Sequence, residues 1–384
     1  MSDKPDEWPT YVSELLSRCV FESGPTQPLR SVRGRPEGPA RDRPEGPKVQ
    51  GVQETDLLDR ECSNRAVRKK LFCAVSGGAD SMAMLVLAVA AGYDVTAIHV
   101  DHGLRSGSEQ EASIVEEAAS SLGADFRSER VHVGYGPNLE ARARAARYGV
   151  LPNDVATGHT MDDQAETILM NLLRGSGIDG LSAMVLGPRH PILSLRRVET
   201  HSLCQAMGLR LVHDESNDDR RFVRNRVRHE LLPLCMDISR RDIVPILARQ
   251  SELMRDDTEL LEQLTSEMIT DPTDLGCLDV GELKNAPPPI ARRAVRNWLR
   301  KNPKTGSKNL EDLGSARYLE SGNSDSRDHV ESYPPSFAEV SRILDIVSGL
   351  TPGTEITGGR SIRRRRGKLV IEPIRKTNDR SVDG

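Results

Sequence analysis

The sequence predicts an α/β protein: a doubly wound, mostly parallel sheet with a helical connector and a smaller C-terminal domain. Three observations carry this. Short apolar runs alternate with helical stretches from Leu71 to Leu173, the pattern of βαβ units. The polar spots 76–81, 99–105 and 158–163 each follow a predicted strand, where open α/β sheets bind ligands. After Pro233 the alternation fades.

In order, Leu71-Phe72-Cys73-Ala74-Val75 is a continuous apolar run ending in Ser76-Gly77-Gly78, as a buried parallel strand does. Residues 80–91 read as a helix, 95–100 as a strand, 110–122 as a helix, 126–133 as a strand and 139–150 as a helix. A fourth strand at 154–157 and a fourth helix at 162–173 complete the series. Upstream, Val12, Leu15, Leu16 and Val20 have helical spacing over 11–21. Eleven of the 28 residues in 24–51 are Pro or Gly, and Arg-Pro-Glu-Gly-Pro occurs at 35–39 and 43–47. That composition reads as a disordered insert. Downstream, 243–264 and 290–299 read as helices, 301–335 as polar and turn-rich, and 354–374 as a small β element. The expected divisions are an N-terminal extension, 1–66, an α/β domain, 67–235, and a connector with an accessory domain, 236–384.

The chain has 384 residues, with 53 Lys plus Arg against 57 Asp plus Glu and a formal net charge of -4. This excludes a uniformly basic nucleic-acid coat but allows local basic faces. Aromatics make up 3%, so the core must rest on Leu, Val, Ile and Ala. The longest apolar run, 82–91, has ten residues, about half of what spans a bilayer. The N-terminal residues lack an apolar signal core, and no two of the six cysteines form a CxxC pair. Zinc-ribbon and paired-thiol chemistry are therefore not expected, and reduced thiols in a cytoplasmic protein are.

The strongest local signal is Ser76-Gly77-Gly78-Ala79-Asp80-Ser81, between a strand and a helix. Glycines permit left-handed backbone and close approach, so successive N–H groups can form an anion nest. The following helix adds its positive dipole end, and Ser76 and Ser81 add hydroxyls. The lysine of a Walker A loop is absent. Asp80 would repel phosphate unless a cation lay between them, so the loop itself suggests Mg²⁺. A plain β-turn-α connection capped by Asp would have the same residue types. Gly175-Ser176-Gly177-Ile178-Asp179-Gly180 matches GxGxxG but follows a helix rather than a strand, so a dinucleotide fingerprint is not expected there.

The hexamer resembles the SGGxDS loop of PP-loop (N-type) ATP pyrophosphatases, which share an adenine nucleotide α-hydrolase-like fold. Further segments follow in order: His99-Val100-Asp101-His102-Gly103-Leu104-Arg105; 138–148, from Asn138 through Arg144 and Arg147 to Tyr148; and Gly158-His159-Thr160-Met161-Asp162-Asp163-Gln164-Ala165-Glu166-Thr167, running on to Leu172-Leu173-Arg174-Gly175-Ser176-Gly177. Then come Pro191-Ile192-Leu193, Asp214-Glu215-Ser216-Asn217, and 221–233, which contains Arg221, Arg224, Asn225, Arg226, Arg228 and His229. In this order the set, covering about 71–233, resembles the tRNA(Ile)-lysidine synthetases. The resemblance implies that 67–235 is an ATP-binding catalytic domain and that 236–384 contacts tRNA. ATP would adenylate C2 of the wobble cytidine of a CAU-anticodon tRNA(Ile), and free L-lysine would displace AMP to give lysidine. The alternatives are another PP-loop tRNA-modifying enzyme, whose thiolase members carry CxxC pairs absent here, and an inactive tRNA-binding paralogue.

On this reading ATP binds Ser76, Gly77, Gly78, Ala79, Asp80, Ser81 and His159. Asp80, Arg144, Asp163 and Glu166 are catalytic, Asp80 and Asp163 hold Mg²⁺, and Arg221, Arg224 and Arg228 meet tRNA. The residues make sense on their own. Asp163 and Glu166, three apart, share one helix face, whereas Asp162 lies about 100° around and suits a capping role. Arginine at 144 matches charge build-up at phosphate. A solvated, charged helix face is the alternative for 221–229; the six basic residues of 360–368 read as a second RNA contact or a solvated strand edge.

Overall fold

The computed structural model describes residues 8–22, 68–101, 103, 108–132, 139–212, 219–269, 277–302, 335–357 and 360–373. The insert 24–51, most of 301–335, His102, Leu104, Arg105, Asn138 and Asp214 to Asn217 lie outside the described residues. The chain divides into two compact units, 1–163 with 185–219, and 164–184 with 220–384. Residues 164–184 and 220–235, grouped by sequence with the α/β domain, therefore pack with the second unit. The reason lies in their partners: the Gln164 amide donates to Met184 O and Ser251 Oγ, both at 2.9 Å.

In the first unit α1 (Thr10–Leu16) precedes β1 (Lys70–Ala74), α2 (Ala79–Ala90), β2 (Asp94–Asp101), α3 (Ser108–Leu122), β3 (Asp125–Arg130), α4 (Leu139–Val150) and β4 (Ala156–Thr157). Next comes α5 (Met161–Leu173), within which the unit boundary falls; α6 (Ile178–Leu181) belongs to the second unit and α7 (Arg197–Ala206) to the first. The four strands are parallel in the order β3-β2-β1-β4. Each expected strand and helix is present, with ends moved by a few residues. β4 is only two residues long because pairing is limited to Cys73 with Ala156 and Ala74 with Thr157.

Burial explains the layering. Met82 through Ala88 of α2 are buried without a polar face, as expected of a helix enclosed on all sides. They share a core with Val12 and Leu15 of α1, Val95 and Ala97 of β2, Val115 of α3, and Leu203 and Cys204 of α7. Along β2, Ile98 joins Leu151 and Val155 on the opposite face, the two-residue alternation of a strand. The edge strand β3 exposes charged side chains, which discourages pairing with another chain.

The second unit continues with α8 (Val223–Arg226), a π-helical turn (Val227–Leu231), α9 (Leu232–Ser239), α10 (Val244–Met268), β5 (Leu278–Asp279), α11 (Val280–Asn285), α12 (Pro288–Lys301) and α13 (Phe337–Ser348). It ends with β6 (Gly353–Ile356), β7 (Arg360–Arg365) and β8 (Lys368–Pro373). The sheet order is β5-β8-β7-β6, antiparallel throughout. Val295 and Trp298 of α12, Ile343 of α13, Leu278, Ile362 and Leu369 form its core. α13 starts with a reciprocal Ser336–Glu339 capping box and ends at Gly349, φ 81°, the expected sequence signals at both ends. Among the described residues no helix is long and apolar enough to cross a membrane.

Candidate active site

Strand order places the site. β2 and β3 extend the sheet on one side of β1 and β4 on the other, so the loops after β1 and β4 flank the point where the winding reverses. Two glycines let them approach. Gly77 has φ 87°, and a Cβ there would run into the Val212 side chain. At Gly158, after β4, a Cβ would lie 2.7 Å from Ser81 Cα and 2.8 Å from the Asp80 carbonyl carbon. Only a residue without a side chain fits against that backbone.

The first-turn amides of α2 are groups that a helix leaves without intrahelical acceptors, and the loop turns them to the end of the sheet. Ser81 Oγ donates to Gly78 O at 2.9 Å and accepts from Ser76 N at 3.2 Å; the Ser76 and Ser81 hydroxyls are 3.2 Å apart. The loop thus sets two hydroxyls beside the first-turn amides, the groups that an anion site would draw on.

Asp80, in the first turn of α2, accepts from Thr200 Oγ1 and, at 3.3 Å, from Arg197 Nε. Arg197 Nη2 donates at 2.8 Å to Asp163 Oδ1, while Asp163 Oδ2 accepts from the amide and hydroxyl of Thr160, both at 2.9 Å. One guanidinium therefore bridges the two carboxylates that the sequence nominates for a cation. Burial, and then the Asp163 carboxylate, push the Asp80 carboxyl above its ordinary value, against the opposing pull of Arg197 and Thr200. Asp162 accepts from Arg196 Nε at 3.0 Å and from the Arg197 amide at 2.8 Å. The capping expected of Asp162 is made by Asp163, which reaches back to the amide before α5, while Asp162 faces the start of α7.

Among the described residues no three His, Cys, Asp or Glu gather around a point where a metal could sit. Asp80 and Asp163 would offer two hard oxygen ligands, the donor type that Mg²⁺ takes when phosphates and water complete its octahedron.

At the end of β4, Thr157 Oγ1 lies 2.8 Å from Nδ1 of both His159 and His190 and donates to Arg189 O at 2.9 Å. The two rings meet edge to face, with centroids 4.9 Å apart. Burial, followed by the charges of Arg189 and Arg144, holds His190 down at about 4. Arg144 also lies over the Tyr148 ring, 5.0 Å from its centroid. The first unit thus brings together the loop, Asp80, Asp163, His159 and Arg144.

Glu166 has other partners. Fully buried in the second unit, it accepts from Arg224 Nε at 2.9 Å and from Arg228 Nε and Nη2 at 2.7 and 3.0 Å. Two of the three arginines expected to meet tRNA converge on the acid expected to be catalytic, while Arg221 is exposed. Sequence reasoning missed Arg196, Arg197, Thr200 and His190. A signal for the first two was available: adjacent arginines at a helix N-terminus oppose its dipole and need carboxylate partners.

The chain matches the PP-loop domain family over residues 53–235. It is 41% identical over 59% of its length to a tRNA(Ile)-lysidine synthase from Nocardia farcinica, covering 74% of that protein. Against the tRNA(Ile)-lysidine synthase of Mycobacterium tuberculosis it is 38% identical, covering 60% of this chain and 75% of the relative. A solved U34-tRNA thiolase, NcsA from Methanococcus maripaludis, is similar over 49% of this chain and 73% of its own, at 17% identity and a TM-score of 0.41. At 41% identity to a tRNA(Ile)-lysidine synthase of which it covers 74%, the chain belongs to the tRNA(Ile)-lysidine synthase family.

Proposed function

We propose that the protein ligates free L-lysine to C2 of the wobble cytidine of CAU-anticodon tRNA(Ile), using ATP, in the cytoplasm. The single observation that best supports this is the glycine loop at the winding reversal with the Asp80–Arg197–Asp163 cluster beside it. In the first step the C2 oxygen of cytidine attacks the α-phosphorus and pyrophosphate leaves. In the second, the neutral ε-amine attacks C2, its nitrogen gives up a proton, and AMP departs with the former C2 oxygen. Adenylation is needed because that oxygen is otherwise a poor leaving group.

The loop amides and the hydroxyls of Ser76 and Ser81 hold the phosphates, including the departing pyrophosphate. Asp80 and Asp163 would hold Mg²⁺, which would supply charge neutralisation at the phosphates, and Arg197 keeps the two carboxylates paired. His159 donates to phosphate, and Arg144 offsets charge at the reacting phosphorus. Glu166 acts by fixing Arg224 and Arg228, which with Arg221 and the accessory part of the chain contact tRNA. The test uses ATP labelled at the α-phosphate. Without lysine, label should move to unmodified tRNA(Ile) with one pyrophosphate released per label; added lysine should then release AMP and form lysidine. Pyrophosphate release that needs no tRNA would overturn the reading.

A further inference from the structure

The glycine loop is aimed by its carbonyls. In a planar trans peptide the C=O of one residue and the N–H of the next point in opposite directions. A donor that holds a carbonyl therefore also directs the following amide. The carbonyls of Val75, Gly77 and Gly78 are all held. Gly77 O accepts from Val212 N at 2.9 Å, and Gly78 O accepts from Met82 N at 3.0 Å and from Ser81 Oγ at 2.9 Å. These bonds turn the Gly78 and Ala79 amides away from the anchors. Val75 O lies 3.0 Å from Nδ1 of His99, a buried residue on the neighbouring strand β2. A carbonyl oxygen can only accept, so Nδ1 carries the proton. We propose that His99 is a positioning residue for the phosphate loop: its Nδ1–H takes the Val75 carbonyl and sets the Val75–Ser76 peptide from which the loop starts. This rests on the reading that the loop holds phosphates.

The end of the ladder explains why a side chain is needed here. β1 and β2 pair up to Ala74 and Ile98, and Val75 N still donates to Ile98 O at 2.9 Å. In a continuing parallel ladder the Val75 carbonyl would next accept from the Val100 amide. The imidazole takes that place, so the chain leaves the sheet after Val75 without orphaning a buried carbonyl. The effect is passed on. The Ser76 amide donates to Ser81 Oγ at 3.2 Å, and the one hydroxyl proton of Ser81 goes to Gly78 O. From His99 the series of donors thus runs through two peptide planes to the Ala79 amide, in the first turn of α2. His99 Nε2 is buried without a hydrogen-bond partner, so the ring's polar contribution is this single bond.

Two substitutions separate the hydrogen bond from packing. His99→Phe keeps a ring and removes the donor. His99→Asn keeps an N–H at the Nδ1 position but fills less space. Calorimetric binding of inorganic pyrophosphate with Mg²⁺ to the full-length protein reads the loop without tRNA or lysine. Kd should rise roughly tenfold in the Phe variant, as for a weakened hydrogen bond to a charged group. The Asn variant should bind close to wild type, although it melts lower for its lost packing. A histidine that only fills space would give the reverse order, with affinity following the melting temperature, and that result would overturn the proposal. Loss of affinity in both variants would do the same. Imidazole ¹⁵N NMR gives a second reading: the neutral His99 ring should carry its proton on Nδ1, the signal being assigned by its absence from His99→Asn. A proton on Nε2 instead would also sink the idea. Equal Kd in wild type and His99→Phe overturns this inference alone, whereas a wild type that binds no pyrophosphate overturns the phosphate role of the loop as well.

Discussion

Asp80 is placed where function and stability pull apart. Its folded-state value lies above the ordinary 3.8, chiefly through burial, so the native state keeps this proton to higher pH than the unfolded chain does. Stability therefore falls as pH rises upward from 3.8 through the folded-state value and stays lower beyond it. Asp80→Asn should remove that step, melting at or above the wild-type temperature at pH 7 while pyrophosphate release drops roughly 100-fold or more. Melting curves from pH 3 to 8 alongside the release assay check both halves; a variant that melts lower at every pH would show that Arg197 outweighs burial. Gly158→Ala makes the converse case. Its Cβ would meet backbone at 2.7 and 2.8 Å, which a rotamer change cannot relieve. We expect a loss of about 1–3 kcal/mol, as for overpacking, together with a raised KM for ATP, measured by denaturant melts and initial rates.

At the scale of elements, α5 concentrates the acids. Asp162 faces Arg196, Asp163 faces Arg197, and Glu166 faces Arg224 and Arg228. The helix was legible from its acidic first turn and apolar spacing, and so were the loops that bracket it. The partners were not, because they lie 34 to 62 residues away and local periodicity carries no information about such pairs. A consequence follows for Glu166→Gln. Removing the charge leaves two arginines facing a buried amide, and breaking a buried pair costs about 3 kcal/mol. The melting temperature should fall together with tRNA affinity, while ATP binding holds. Activity loss at unchanged stability would instead return Glu166 to direct contact with substrate. Arg228→Ala should weaken tRNA binding and reduce the slope of log K against log salt by about one; titrations at several salt concentrations read it, and an unchanged slope would assign Arg228 to Glu166 alone.

At the scale of the molecule, composition marked a change of architecture near Pro233, where strand–helix alternation stops. The physical division lies elsewhere, because a unit is set by what its side chains bury and bond. Gln164 and Arg255 both bind Met184, and Asp179 takes Arg293 and Arg296 from α12, so 164–184 belongs with the helices that follow 220. The core of α2 was legible as an apolar run, whereas α7 was not singled out, since its sequence is mostly polar around buried Thr200, Leu203 and Cys204. The Pro/Gly-rich 24–51 lies outside the described residues, and its composition offers little apolar surface to bury. Replacing it with a short Gly/Ser linker should leave pyrophosphate release and melting temperature near wild type; a large drop in tRNA affinity would give the segment a binding role.

Glu22 accepts from Lys69 Nζ and Tyr93 Oη, both at 2.9 Å, so the long passage from 23 to 68 leaves and rejoins the first unit at one spot. What precedes it is firmly seated. Arg18 binds Glu199 and Ser194 O at 2.6 Å each, and Val20 N donates to Pro191 O at 2.9 Å. A protease cut within the passage would therefore yield a split protein whose short N-terminal fragment stays docked without a covalent tie. That fragment grips the 191–199 stretch, which also carries Arg196 and Arg197. Its release in denaturant would report on the acid–arginine cluster before the rest of the unit opens.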